Sequence, residues 1–332
     1  MMFAKLSKKS NLKDILVISL SNIGDVIVTC PVIDILRRDF PDAKISVIVG
    51  PKAVSLFQNN SFINAVHVFD KSRKGFEHLA WVKGLRQRSF DLIVDLRNSM
   101  IPFMLKARYR MWPEFFVDKN IHLITKHLRR FKSIYQFDKL SDKKYAIVVS
   151  DPDKRYVDGL LEKGDKKFVV VAPVAADSAK TWLKDRFAVV CNEFARKYNL
   201  GIVFVGTEEE GKVAQDIQKS LARPALNLCG QTNLTQLTEV VRRSTMALVN
   251  DSGVMHIASY YNVPTLALFG PTKPYRTGPW SSQSRYIWKN QDCAKCARPS
   301  LEELHQCMKN ITVEDVLNAV TISSSGEVQF KK

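Results

Sequence analysis

Short, continuously apolar runs alternate with helix-periodic stretches along this chain, and no other feature limits its fold as tightly. In the first half the runs fall at residues 14–20, 44–49, 65–69 and 91–95, separated by helical patterns that include 52–59 and 75–87. In the second half they fall at 168–171, 201–205, 225–228, 246–249 and 265–268, with helical patterns at 186–198, 208–221 and 234–242 between them. A run apolar at successive positions suits a strand buried on both faces, as parallel strands are. Strands that alternate with helices build parallel sheets with right-handed crossovers. A last helix is expected over 312–320, with Thr312 as cap and Asp315 in a capping-box position. The expected class is therefore α/β, in two halves. A polar stretch at 150–165 supplies a helix and the linker, dividing the chain into a first domain, 1–160, and a second, 161–332.

Two turns between a strand and a helix are placed to carry chemistry. Asn250-Asp251-Ser252-Gly253-Val254-Met255-His256 follows the 246–249 run and opens a helix. Asp251 or Ser252 can cap that helix, and Gly253 lets a ligand approach the backbone closely. The first-turn N–H groups and the helix dipole then favour a phosphate. His256 lies four residues after Ser252, on the same helical face. Near the N-terminus, Ser21-Asn22-Ile23-Gly24-Asp25 follows the first strand. Asp25 thus stands where a parallel strand ends, the usual crevice for ligands in an open α/β sheet. Pro31 falls inside the helical pattern that follows and is expected to delay the helix beyond its first turns. This turn has one glycine, Gly24, where a dinucleotide fingerprint needs three, and the chain has no Walker-type loop. Dehydrogenase and P-loop readings of the alternation are therefore set aside.

The chain carries 50 Lys and Arg against 33 Asp and Glu, a net charge of +17, which implies an anionic partner. Part of that charge is clustered: Lys106, Arg108, Arg110, Lys126, Arg129, Arg130, Lys132, Lys139, Lys143 and Lys144 fall in one region. Tyr109, Trp112, Phe115, Phe116, Phe131 and Tyr135 interleave with them. Such a mixture fits single-stranded nucleic acid, an amphipathic membrane contact, or solvated charges over a small core. No apolar run approaches the length that crosses a bilayer. The run at 15–20, although preceded by lysines, is followed closely by Asn22 and Asp25. It reads as a first strand rather than a secretory signal, and a cytosolic protein is expected.

Ser19-Leu20-Ser21-Asn22-Ile23-Gly24-Asp25-Val26-Ile27 and Asn250-Asp251-Ser252-Gly253-Val254-Met255-His256-Ile257-Ala258 together resemble the ADP-heptose:lipopolysaccharide heptosyltransferase family. Val263-Pro264-Thr265-Leu266-Ala267-Leu268-Phe269-Gly270-Pro271-Thr272 continues the second match, and Lys180-Thr181-Trp182, with Phe187 after it, is similar to the family's central lysine segment. The resemblance implies the GT-B arrangement: two Rossmann-like domains facing a central cleft, the first for the acceptor and the second for the nucleotide sugar. A C-terminal helix that crosses back belongs to that expectation. The implied activity is an inverting glycosyl transfer, with no metal or other cofactor, that moves heptose from ADP-heptose to a lipopolysaccharide core acceptor. Asp25 is the expected general base, and Lys180 the cation for the leaving diphosphate. Donor contacts are expected at Gly24, Glu210, Asp251, Ser252, Gly253, His256 and Thr272. Among these, Asp251 is expected to order its loop as a cap, and Glu210 to bond ribose hydroxyls. Arg129, Arg130 and Lys132 are expected to meet an anionic lipid-linked acceptor, which places the protein peripherally on the cytoplasmic face of the inner membrane. Nucleic acid is the disfavoured partner. The alternatives are a related transferase with another sugar donor or glycan acceptor, and a non-catalytic binder of nucleic acid, membrane or another anionic ligand on the same scaffold. The presence of Asp25 and Lys180 weighs against the non-catalytic alternative.

Cys293, Cys296, His305 and Cys307 are four potential zinc ligands, but the gap between Cys296 and His305 is unremarkable. Cys30, Cys191 and Cys229 stand singly in apolar contexts. Reduced thiols are the expectation, and no metal is assigned.

Overall fold

The computed structural model describes residues 6–72, 76–115, 118, 120–289 and 306–331. The chain divides into two compact units, Met1–Ser150 and Asp151–Lys332. Among the described residues the first unit holds β1 (Asp14–Ile18), β2 (Lys44–Val49), β3 (Ala65–Val68), β4 (Ser89–Asp95) and β5 (Lys106–Arg110). They form one parallel sheet in the order β3-β2-β1-β4-β5. The chain winds outward from β1 through β2 to β3, then returns to the other side of β1 for β4. The loops after β1 and β4 therefore diverge, and the crevice they leave is the switch point where open α/β sheets bind ligands.

The helix Ile23–Asp39 follows β1 and runs straight through Pro31, contrary to the expected late start. Proline inside a helix costs about 3 kcal/mol. Every residue from Val26 to Arg37 is buried, and that burial outweighs the lost ladder bond. Buried Asp34 on this helix accepts the backbone N–H groups of Tyr145 and Ala146 at 2.7 and 2.8 Å, which ties the end of the first unit to its first helix. The helix expected at 52–59 is a shorter 3-10 turn, Pro51–Leu56. β5 was not anticipated, because Lys106-Ala107-Arg108-Tyr109-Arg110 has the charged pattern of an edge strand protected from further pairing. The helix Leu123–Lys132 lies in the basic-aromatic region and packs on the helix Ile23–Asp39.

The second unit repeats the plan with β6 (Phe168–Ala172), β7 (Gly201–Phe204), β8 (Leu226–Asn227), β9 (Met246–Asn250), β10 (Thr265–Phe269) and β11 (Ser284–Trp288). These are parallel, in the order β11-β10-β9-β6-β7-β8. The winding reverses between β6 and β9, which sets this unit's switch point there. β11 also escaped the sequence reading, since it is a partly exposed edge strand.

The helix Asp151–Leu161 packs on the helix Leu234–Arg243, where Thr235 Oγ1 and Gln236 Nε2 donate to the Asp153 carboxylate at 3.1 and 2.9 Å. It opens the second unit, so the division falls at Ser150 rather than at residue 160. The last helix, Val313–Ala319, carries the expected capping box of Thr312 and Asp315. It packs on the helix Lys184–Tyr198, and its Val316 and Ala319 join a core with Trp182, Phe187 and Phe194. That apolar face packs it within the second unit. An antiparallel ribbon of β12 (Val320–Ile322) and β13 (Val328–Phe330) follows. No described helix is long and apolar enough to cross a membrane.

Candidate active site

β6, β9 and β10 are neighbours in a parallel sheet, so the loops that leave their C-terminal ends emerge on one edge. These loops carry Lys180, Asp251 and Thr272, and the three side chains meet on one atom. Lys180 Nζ lies 2.9 Å from Asp251 Oδ2, and Thr272 Oγ1 donates to the same oxygen at 2.8 Å. A hydrogen bond between an ammonium and a carboxylate is among the stronger kinds. Asp251 is therefore not the helix cap the sequence suggested. Ser252 occupies the N-cap of the helix Gly253–Tyr260 without bonding its N–H groups. Ser252 Oγ is buried and has no hydrogen-bond partner among the described residues. With Asp251 turned to Lys180, the first N–H groups of this helix are left uncapped by its side chain, which suits an incoming anion.

The loop bearing Lys180 is held by groups behind it. Asn250 is fully buried at the end of β9. Its Nδ2 donates to the Pro173 carbonyl at 2.9 Å, and its Oδ1 accepts the Trp182 N–H at 3.1 Å. Trp182 is buried edge-on against Phe187, and its Nε1 donates to the Ile311 carbonyl at 2.9 Å. Lys180 ends the 3-10 turn Ser178–Lys180, whose cap is Asp177 accepting from Ala179 N at 3.0 Å. Gly270, which closes β10, allows the neighbouring loops to approach: a Cβ there would lie 2.8 Å from Met308 Sδ and 3.1 Å from the Ala179 carbonyl. Asn250 and Gly270 were not singled out from sequence, although Asn250 opens the motif that was.

His256 is buried in the wall of this region and stacks on Trp280, with ring centroids 5.6 Å apart. Trp280 had no sequence signal beyond its place after Gly278-Pro279. Gly253 starts the helix. Glu210 lies after β7, with β6 standing between β7 and β9. Its Oε2 accepts the Thr207 N–H at 2.8 Å, and a Cβ on Gly206 would come within 2.4 Å of that oxygen. One carboxylate oxygen thus orders the turn. Burial first, and then the Glu210 charge, pushes the Cys229 thiol up to about 12, so it is a neutral neighbour.

In the first unit, Gly24 and Asp25 lie in the first turn of the helix Ile23–Asp39. Asp25 accepts from Asn22 Nδ2 at 3.1 Å, and Asn22 rather than Asp25 holds the N-cap position. The turn is braced from both sides. Gly50 N donates to the Leu20 carbonyl at 3.0 Å, and a Cβ at Gly50 would sit 2.5 Å from Ser21 Cα. From the loop after β4, Arg97 donates to the Ser19 carbonyl and to Ser21 Oγ, each at 3.0 Å, with its guanidinium over the Phe69 ring. Arg97 was not anticipated; its position two residues past a strand end was the available signal.

Arg130 departs most from expectation. It is 4% exposed, its guanidinium nitrogens have no hydrogen-bond partners among the described residues, and Glu114 is 3.9 Å away. It shares the buried face of its helix with Ile124, His127 and Phe131, the spacing of one helical side, and so cannot meet a membrane. Arg129 is exposed and pairs with Glu114 at 2.7 Å, and Lys132 lies over the Phe137 ring. Cys293, Cys296 and His305 lie outside the described residues. Cys307 is buried in the second unit's core. Among the described residues no group of three or more His, Cys, Asp or Glu could hold a metal ion.

Comparisons with known proteins bear on the family and the fold. The model of glycosyltransferase family 9 (heptosyltransferase) matches residues 78–305. Lipooligosaccharide heptosyltransferase 2 of Campylobacter jejuni is 24% identical over 308 residues, which cover 90% of this chain and 95% of that protein. Among solved structures, Escherichia coli ADP-heptose lps heptosyltransferase II superposes with a TM-score of 0.72 at 21% identity, over 92% of this chain and 96% of that one. The E. coli heptosyltransferase WaaC with ADP-2-deoxy-2-fluoro heptose gives 0.68 at 13% identity, over 92% and 98%. Both sheets thus have the GT-B fold of those enzymes.

Proposed function

The chain belongs to glycosyltransferase family 9, the heptosyltransferases, and from that premise we propose that it moves heptose from ADP-heptose to a lipopolysaccharide core acceptor, with inversion and without a metal. The second unit holds the nucleotide sugar and the first the acceptor. The acceptor hydroxyl gives its proton to Asp25 as its oxygen attacks the anomeric carbon. The bond from that carbon to the distal phosphate oxygen breaks in the same step, and its electron pair leaves with ADP. A single displacement inverts the centre. The N–H groups at Ser252 and Gly253 and the Lys180 ammonium stabilise the charge on the leaving diphosphate.

The observation that carries this reading is the meeting of Lys180 and Thr272 on Asp251 at the switch point, beside an uncapped helix start. It supports a cation ordered on Asp251 before any ligand arrives, on the strand-end edge where the helix Gly253–Tyr260 begins. The relatives named as lipooligosaccharide and lipopolysaccharide heptosyltransferases support the acceptor class, and the neighbour solved with a fluorinated ADP-heptose supports the donor. An acceptor built on a lipid would bring the enzyme to the cytoplasmic face of the inner membrane as a peripheral protein. The test is a screen of ADP-, GDP- and UDP-sugars by thermal shift and by product formation, each with and without EDTA. ADP-heptose alone should both stabilise the protein and be consumed, equally in EDTA. Turnover with a GDP- or UDP-sugar in its place, or loss of turnover in EDTA, would overturn the donor or the metal-free step.

A further inference from the structure

With Arg130 buried, the basic-aromatic region must meet any partner through other side chains, and the described residues present a compact set. Met100 is 62% exposed, Trp112 61% and Phe115 86%. Met100 follows β4 and the other two follow β5, so all three leave strand ends on one rim of the sheet. That is the rim where β1 ends and Asp25 begins the next helix. β5 lies two strands from β1, roughly 10 Å at the usual spacing.

The two loops are fastened together. Asn98 donates to the Glu114 carbonyl and accepts the Glu114 N–H, both at 2.9 Å, with Asn98 in the left-handed region at φ 63°. The Phe103 ring supports Trp112 edge-on at 5.0 Å. Arg129 holds the Glu114 carboxylate at 2.7 Å. Trp112, and the Glu114 backbone beside Phe115, are therefore held on a braced scaffold. Exposed Lys106 and Arg108 lie on the adjoining edge strand. Indole, phenyl and thioether groups beside Lys and Arg match a bilayer interface, where rings settle among headgroups and cations meet anionic lipid.

We propose that Met100, Trp112 and Phe115 form a wedge that enters the headgroup layer of an anionic bilayer, with Lys106, Arg108 and Arg129 on lipid phosphates, so that Asp25 is offered to an acceptor still seated in that layer. The surface is read from the side chains themselves; its purpose rests on the acceptor class proposed above.

The test uses the full chain and vesicles of phosphatidylethanolamine with one quarter phosphatidylglycerol, against phosphatidylcholine alone. Wild type should sediment with the anionic vesicles and be quenched by brominated phosphatidylglycerol. Trp112→Ser/Phe115→Ser, and Phe115→Ser alone, should bind at least tenfold more weakly even at low salt. Lys106→Gln/Arg108→Gln should lose binding chiefly as salt rises. Each variant should keep the wild-type Tm and turnover on a water-soluble, deacylated acceptor, and lose turnover on vesicle-borne acceptor. Unchanged vesicle binding in Phe115→Ser and in the double variant overturns the wedge. So does an equal loss of turnover on the soluble acceptor, which would assign these rings to the sugar. Single-stranded RNA that binds through the same residues more tightly than the vesicles would also overturn it. If wild type transfers no sugar yet binds vesicles through these residues, the wedge stands and the proposed reaction falls.

Discussion

Asp251 determines how Lys180 can act. A free lysine on a loop samples many rotamers and must be ordered when the diphosphate charge develops. Here Asp251 Oδ2 orders it beforehand, and Thr272 holds the same oxygen. Removing Lys180 as Lys180→Ala should cost on the order of 3 kcal/mol in the transition state, roughly 10²-fold in kcat. Asp251→Ala should cost less, because the cation survives but is no longer placed. The double variant should be no slower than Lys180→Ala, since the two act through one contact. Additive losses in that kcat cycle would show that Asp251 works apart from Lys180. Asp25→Asn tests the other unit. Among the described residues Asp25 makes one side-chain bond, from Asn22, and it is not the cap, so the variant's Tm should stay near wild type while kcat falls by about 10²–10⁴. Near-normal kcat would remove Asp25 as the base, and a collapsed melting transition would make it structural. The sequence placed Asp25, Lys180, Asp251 and Thr272 on strand-end loops because turn chemistry is local. It could not place three of them on one oxygen, since that depends on β6, β9 and β10 lying side by side.

Single elements show where sequence pattern yields to packing. In Leu123–Lys132 the chain reads as basic, yet the face bearing His127 and Arg130 turns inward. Burial, with the charges of Lys126 and Arg130, pushes His127 down to about 3. The unfolded chain takes up that proton near pH 6.5 and the folded chain resists it to about 3. The associated stability is complete above pH 6.5 and is lost as pH falls toward 3, by about 1.4 kcal/mol per unit. His127→Leu should therefore lose less stability than wild type between pH 7 and 5, read as the shift in urea midpoint; equal shifts would show that His127 is hydrated. Pro31 and β5 teach the same lesson. A helix-breaking residue was absorbed by the buried run Val26–Arg37, and a charged pentapeptide became a strand because β4 offered it an edge. Neither can be read from a window of neighbours. The long apolar strands β2, β6 and β9 could be, since their burial is written in consecutive residues.

At the scale of the whole chain, two sheets with separate cores make two folding units. Calorimetry should resolve two transitions, with ADP raising only the second unit's. At a hundredfold excess over Kd the gain is about 2.7 kcal/mol. Val17→Ala in the heart of β1 should lower the other transition and so identify it. Movement of both with ADP would mean that the units unfold as one. The alternation of runs announced this duplication from the primary structure, whereas the division at Ser150 depended on Asp153 finding Thr235 and Gln236 in the folded chain. The strand order has a further consequence. The grip on Asp251 belongs to β6, β9 and β10, while the Glu210 turn stands apart on β7. On the proposed reading, in which the clasp serves the diphosphate and the Glu210 turn the nucleoside, two tasks on separate strands are open to independent inheritance. Exchanging the Gly206–Gly211 turn for that of a paralogue with another donor should re-tune which nucleoside is accepted, read as relative thermal shift by ADP and GDP, while the lysine clasp and its chemistry are carried over intact. If the exchange abolishes every shift, the two are a single module; if it succeeds, a lineage could diversify its sugar donors without reinventing its catalyst.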